Sequence, residues 1–309
     1  MALIYRNVSS GPRMRVAFLM LLLGTACSAG DSSNDTQPSR VFLSTGTAPP
    51  GGAFFVVGSA LAEVVNEFGS SYGYSVTAEA TSGSQENIRR LASGELDFAL
   101  SNAAITYFAV RGESGWDRTY PMRAVMTLAP NVALFIAQAG DNISALDELR
   151  DKRVTVGPAG AGFEYFIRPL LNAHGITYDD FSPLNATQQG AVDMLTDGSA
   201  DAVFLGGAVP TASITQASAS MEIVFLPFGE TEKEQLVDEF VFFSPATIPA
   251  ETYRGQSEPF EGLDVGSMHL ITSANAKDDL VYNVTKLLYD NRERVVEKHA
   301  AGRAINPNN

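Results

Sequence analysis

The sequence predicts an α/β protein of two similar lobes. Two observations carry this. The stretch Thr81-Ser-Gly-Ser-Gln-Glu-Asn-Ile-Arg-Arg-Leu-Ala-Ser-Gly-Glu-Leu-Asp-Phe-Ala-Leu100 reads as loop, helix and buried strand. About a hundred residues later, Asn185 to Phe204 repeats it, with Leu195, Gly198 and Asp201 standing where Leu91, Gly94 and Asp97 stand. In each copy a leucine ends the helix, a glycine supplies a turn with positive φ, and an aspartate starts a strand. The competing reading is that any α/β unit is written this way, because one match over ~20 residues is weak for a repeat.

Val41 to Thr45 opens the first lobe as a strand. After the Gly46 to Gly52 turn, the apolar spacing in Ala53 to Phe68 predicts an amphipathic helix. Tyr74 to Ala80 and Asp97 to Ser101 add two strands, and Arg123 to Leu128 a further one. Strand and helix alternating at this spacing predict a parallel sheet covered by helices. Val132 to Gln138 then crosses to the second lobe, followed by a short helix at Ser144 to Leu149 with Ser144 as N-cap.

Arg153 to Val156, the Gly157 to Gly162 turn and a helix over Phe163 to His174 begin the second unit. Ala202 to Leu205 is its core strand, and Pro210 sits near the first position of the next helix. Val265 to Thr272 is the return strand, Asp278 to Asn291 and Arg292 to His299 are helices, and the tail from Gly302 is expected to fray. The expected division is 41–131 with 245–309 as lobe one and 132–244 as lobe two. Two connections between lobes favour closure around a ligand.

Residues 1–27 are expected to be an export signal: Arg13 and Arg15 precede the apolar run Val16 to Leu23, with no acidic group before Cys27. Met14 is an alternative start. Cys27, the only cysteine, follows Gly24-Thr25-Ala26 and resembles the lipidated cysteine of bacterial lipoproteins, although Gly24 replaces the usual Leu, Val or Ile. The other reading is cleavage nearby, for instance after Ala29, with Cys27 incidental. Peptide mapping of the mature N-terminus separates the two. Residues 28–40 are polar and suit a tether.

The chain is acidic, with a formal charge of −14, and more so without Arg6, Arg13 and Arg15, which argues against a nucleic-acid partner. No segment after the signal reaches the ~18 consecutive apolar residues of a membrane span. A lone cysteine excludes disulfides within the chain and a cysteine-type structural metal site. Three histidines, His174, His269 and His299, fall in no H-E-x-x-H arrangement and are read as structural or solvent-facing. No G-x-S-x-G elbow occurs. No catalytic residue, metal or cofactor is therefore expected.

The glycine loops are the informative feature. Gly46 to Gly52 mimics a phosphate loop but lacks its Lys and Ser/Thr, and Gly157 to Gly162 reverses the dinucleotide spacing. Both keep bare backbone at a strand's carboxyl end, where open α/β sheets bind ligands. With Gly83 to Asn87 and Gly206 to Thr211 they make four loops expected to converge on one cleft. Glu86 is open to two readings, an acid or base or a first-turn capping residue. Phe54 and Phe55 are cleft candidates, one of them facing the core.

These residues resemble a known family. Gly46-Thr-x-x-x-Gly-Gly-x-Phe-Phe-x-x-Gly58, Gly83-Ser-x-Glu-Asn87, Gly94-x-x-Asp97, Gly157-x-x-Gly-x-Gly162 and Gly207-x-Val-Pro-Thr211 look like the solute-binding subunits of TAXI-type tripartite ATP-independent periplasmic (TRAP) transporters, over roughly 41–300. The resemblance implies a two-lobed periplasmic-binding-protein fold, type II-like, with a cleft between the lobes. It implies an extracytoplasmic subunit that captures a small organic solute and delivers it to TRAP membrane permease subunits, touching the membrane only through a lipid anchor at Cys27 and the permease. The alternative is a ligand-sensing or surface lipoprotein on the same fold.

The ligand-side positions so implied are Thr47, Gly52, Phe54, Ser84, Glu86, Asn87 and Asn102 in lobe one, and Gly160, Gly162, Phe163, Val209, Pro210 and Thr211 in lobe two. Departures bear on the ligand. The family writes its first loop Gly-Thr-Gly-Ser-x-Gly-Gly-x-Tyr-Tyr, whereas Ala48, Pro49, Phe54 and Phe55 stand here, and Asn102, Ala104, Ala161 and Phe163 replace other polar family residues. The lost hydroxyls predict a carboxylate or amino-acid-like ligand less polar or larger than glutamate, because an unpartnered buried polar atom costs ~1–3 kcal/mol.

Overall fold

The computed structural model describes residues 39–306, so the expected signal, Cys27 and most of the tether lie outside the described residues. Strand β1 (Val41–Gly46) leads through the glycine turn into helix α1 (Ala53–Phe68). Val57, Leu61, Val64 and Val65 recur along one face of α1 and are buried against the sheet with Leu43, Phe98 and Leu270. Strand β2 (Tyr74–Glu79), helix α2 (Ser84–Ser93), strand β3 (Phe98–Asn102), helix α3 (Ala103–Arg111) and strand β4 (Met122–Thr127) complete the outgoing chain of the first half.

The chain crosses at residues 128–131, just before the strand expected to carry it: β5 (Val132–Gln138) forms as expected but lies wholly in the second sheet. The second half then runs through β6 (Arg153–Thr155), α4 (Glu164–Ala173), β7 (Ser182–Leu184), α5 (Gln188–Thr196), β8 (Ala202–Gly207), α6 (Ala212–Ser220), β9 (Ile223–Phe225), α7 (Glu230–Glu239), β10 (Ser244–Ile248) and β11 (Phe260–Asp264). Strand β12 (Met268–Ser273) returns to the first sheet, and α8 (Asp278–Asp290) and α9 (Arg292–Lys298) follow. Among the described residues no helix is long and apolar enough to cross a membrane.

The two sheets share one plan. The first has the order β2-β1-β3-β12-β4, and the second contains β7-β6-β8-β5, extended by β11 and β10, with β9 also on β5. In both, the first strand of the unit lies parallel between its two successors, and the third pairs antiparallel with a strand of the crossing chain.

The repeated sequence pattern has a repeated physical job. Gly94 and Gly198 both take positive φ, 79° and 75°. The Asp97 carboxylate accepts the Ser44 N–H at 2.8 Å, while the Asp97 N–H donates to the Ser44 carbonyl at 3.0 Å. Asp201 does the same with Arg153, at 2.7 and 2.8 Å, and also receives the Arg153 guanidinium at 2.6 Å. Each aspartate locks the register between the first and third strands of its unit.

Three expectations are corrected. Residues 245–264, assigned to lobe one, pair instead with the second sheet through β10 and β11, because the alternating run Phe260–Asp264 forms a hairpin-like pair before the chain returns at Met268. The tail does not fray at Gly302: Ala300–Ala304 forms a 3-10 turn, with Ala301 and Ile305 buried in the core beside α9. Ser144 is not an N-cap; its hydroxyl and N–H both donate to Glu148, which brackets a 3-10 turn at Leu146–Leu149.

Asp97→Ala and Asp201→Ala should each cost about 1–3 kcal/mol in a urea unfolding titration, since each leaves a strand N–H unpaired. Arg153 holds the Asp201 carboxyl below the usual carboxylate range. The contribution of Asp201 should therefore be complete above pH ~3.9 and be lost as pH falls through its folded value, so acid should narrow the gap between wild type and Asp201→Ala.

Candidate functional site

The carboxyl ends of the parallel strands in both sheets feed helices whose N-termini meet at one cleft. It is lined from the first half by Ala48 to Pro50, Gly52 to Phe54, Ser82 to Ser84 and Asn102, and from the second by Pro158, Ala161, Phe163, Phe166 and Thr187 to Gln189. Asn131, from the crossing chain, completes the lining. The empty space within it, open solvent at the mouth included, is about 630 Å³.

The lining contains no charged side chain. Its positive character comes from backbone. α1, α2 and α5 begin at Ala53, Ser84 and Gln188, all at the cleft, and first-turn N–H groups have no carbonyl one turn earlier to bond. With the aligned peptide dipoles behind them, such groups favour oxygen atoms bearing negative charge. The apolar walls are Phe54, Phe163, Phe166 and small residues. Gly157 makes room for one of them, because a Cβ there would fall 2.2 Å from the Phe163 ring.

The halves touch beside the cleft. A Cβ on Gly83 would lie 3.4 Å from the Ala161 Cβ, and one on Gly162 would lie 3.0 Å from the Ile105 side chain. Tyr165 stacks on Phe108 and Trp116, and its hydroxyl accepts from Gln85 at 3.2 Å. Burial pushes the Tyr165 hydroxyl pKa up, so it stays protonated at neutral pH.

Of the expected ligand-side residues, Gly52, Phe54, Ser84, Asn102 and Phe163 line the cleft. The others have structural partners or lie elsewhere. Thr47 is fully buried; its hydroxyl donates to the Glu79 carbonyl at 2.7 Å, and its carbonyl accepts from Thr81 and Asn87. Asn87, also fully buried, spends its amide N–H groups on the Thr47 and Leu100 carbonyls at 2.7 and 2.8 Å. Glu86 accepts the Ser82 N–H and faces Arg90, which makes it the helix-start residue of the second reading.

Gly160 and Gly162 flank the lining residue Ala161 without lining the cleft themselves. Val209 and Pro210 line a separate groove with Pro130, Thr252 and Ala301, and Thr211 is buried, its N–H bonded to the Tyr253 hydroxyl at 2.8 Å. Pro210 follows a cis peptide and precedes Thr211, the cap of α6, so it stands outside that helix. The loop from Gly206 to Thr211 therefore does not supply the fourth wall. Even Asn102, on the cleft, is largely committed: it caps α3 through Ala104 N–H at 2.8 Å and donates to the Gly266 carbonyl at 2.7 Å.

Thr187 to Gln189 take the place of the missing loop. They start the helix of the second repeat, as Ser84 starts that of the first, so the repeat itself carried the signal for them. Thr187 caps α5 by accepting the Gly190 N–H at 3.1 Å, and Gln188 is fixed by Gly206 and Ser213. Asn131 had no such signal, because its place in the cleft depends on how the two crossing chains pair. The histidines serve structure: His174 accepts the Gly229 N–H, His299 accepts the Ala301 N–H, and His269 is held in β12. Among the described residues no group of His, Cys, Asp or Glu could hold a metal ion.

Asn87→Ala should act on folding before binding. It removes a donor from each of two buried carbonyls, Thr47 and Leu100, and a loss of about 1–3 kcal/mol of stability in a urea titration is expected; an unchanged midpoint would show that Asn87 is not a fixed strut.

Solved structures share this architecture at low sequence identity. A protein from Bordetella bronchiseptica RB50 matches at 12% identity and TM-score 0.55, over 86% of this chain and 81% of that one. An ancestral arginine-binding protein bound to arginine matches at 16% identity and TM-score 0.52, over 86% and 96%. The alkanesulfonate-binding protein SsuA from Xanthomonas axonopodis pv. citri bound to MOPS matches at 14% and 0.51, over 87% and 84%. The likeness is one of fold, the two-lobed fold of periplasmic binding proteins. The NMT1-like family model matches residues 45–309, all of both halves but the first four residues of β1, and the chain belongs to that family.

Proposed function

We propose that the protein is an extracytoplasmic solute-binding subunit that captures a small organic molecule between its lobes and delivers it to membrane permease subunits. The observation that carries this reading is a cleft walled by both halves, apolar on its sides and lined by helix N-termini. A ligand touching both walls stabilises the arrangement in which they are close, and it can do so only by the contacts it gains there. Catalysis forms no part of the proposal. The relatives of known ligand, bound to arginine and to MOPS, are consistent with capture of small polar organic solutes.

For the permease we propose the TAXI-type TRAP class, on the loops Gly46-Thr-x-x-x-Gly-Gly and Gly83-Ser-x-Glu-Asn87. The structure gives both loops a physical use, since Thr47 and Asn87 bind the two loops to each other. A lipid anchor at Cys27 belongs to the same proposal and is tested by the N-terminal mapping named above.

A thermal-shift screen of amino acids, dicarboxylates, keto acids and aromatic acids should return a saturable hit. At 100 times its dissociation constant a ligand adds ~2.7 kcal/mol, a shift of several degrees. Ala161→Trp, which must push against Gly83 across the cleft, should abolish that shift while the variant stays folded by circular dichroism. A hit that survives Ala161→Trp would place binding elsewhere. Uptake of the hit by membrane vesicles should collapse with an ionophore and proceed without ATP; strictly ATP-driven uptake would exclude the TRAP class.

A further inference from the structure

Resting on that reading, the chemistry of the cleft narrows the solute. An amino acid brings an ammonium group, which needs acceptors, yet the lining holds no Asp or Glu. Its Asn102 oxygen is already taken by the start of α3 and the Gln188 oxygen by Ser213, and the amide oxygens of Asn131 and Gln189 that remain are uncharged, whereas an ammonium is held best by a carboxylate. A carboxylate meets the opposite situation, with the first-turn N–H groups of three helices at the cleft and the Ser84 hydroxyl, which already accepts the Asn102 N–H and so has its own proton to give.

A second observation is independent of the helices. Asn131 lies on the cleft lining with 6% of its surface exposed, and among the described residues its side-chain amide makes no hydrogen bond. Its backbone is fully used: the N–H donates to Asp264 at 3.0 Å and the carbonyl accepts from Val265 at 3.0 Å. Gly206 leaves the amide space, since a Cβ there would lie 3.4 Å from Asn131 Oδ1. Neither amide atom is among the fully enclosed polar atoms without a partner, so the amide keeps access to the cleft, and a donor and an acceptor side by side suit an uncharged oxygen substituent.

We propose that the cleft takes a monocarboxylate with an apolar, ring-sized body and an uncharged hydroxy or oxo substituent, and that Asn131 is the residue that binds this substituent. The carboxylate sits at the helix N-termini, and the body lies among Phe54, Phe163 and Phe166. Asn131 stands where the chain crosses between the lobes, so the same contact ties the ligand to the crossing.

Calorimetric titration at neutral pH with 3-phenyllactate, phenylpyruvate, 3-phenylpropionate and phenylalanine tests this. The native protein should bind phenyllactate or phenylpyruvate, with phenylpropionate and phenylalanine each about tenfold weaker or more. Asn131→Ala should bring the substituted acids down to the affinity of phenylpropionate and leave phenylpropionate itself unchanged. Equal or tighter binding of phenylalanine, or a preference for the substituted acids that survives Asn131→Ala, overturns the proposal. The ligand comparison on native protein decides the class even if Asn131→Ala does not fold. If all four fail but another solute gives a shift that Ala161→Trp removes, solute capture stands and this inference falls; if no solute binds at the cleft, both fall.

Discussion

Everything that positions the cleft depends on how two chain segments pass side by side between the sheets. Leu128 and Ala129 pair with Met268 through backbone bonds of 2.8 and 2.7 Å, and Val265 donates to Asn131. Asp264 ties the remaining ends: its carboxylate accepts the N–H groups of Asn131 and Gly266 and the Ser267 hydroxyl at 2.5 Å. Burial pushes its carboxyl pKa up, so the charge is expensive there and is offset by these donors. Because Asn102 also donates to Gly266, the start of α3 and the floor of the cleft are registered to the same crossing.

On either side of that crossing the two halves solve one problem with one plan. A parallel trio of strands points its carboxyl ends toward the other half, and each βα connection then delivers a helix N-terminus to the shared space. The result is a cleft that attracts oxygen atoms without spending a charged side chain. This makes the acidity of the chain compatible with an anionic ligand, because screened surface carboxylates act weakly over such distances while dipoles at the cleft act directly.

Much of this was legible in the sequence because it is local. The span of α1, the strand β5 and the φ > 0 glycines at 94 and 198 follow from apolar spacing and turn chemistry. The repeat was legible too, and Asp97 and Asp201 show why it is more than α/β grammar: both bind the neighbouring strand's backbone in the same way. What sequence could not separate was the use of a polar residue near a loop. Thr47, Asn87 and Thr211 sit in loops of the right kind, yet their side-chain donors are consumed by neighbouring carbonyls, and the Asn87 oxygen is enclosed in the core without a partner. Asn131 sits in the connection between β4 and β5 and keeps its amide open. That difference is set by long-range pairing, as is the membership of β10 and β11 in the second sheet.

The central claim is that one ligand is held by both halves at once. Hydrogen exchange of the protein with and without a saturating amount of the solute identified by screening reads this directly. Protection should rise together at residues 52–54 and 83–85 in the first half, at 131 on the crossing, and at 187–189 in the second. Protection confined to one half, or centred on the groove around Val209 and Pro210, would contradict the account.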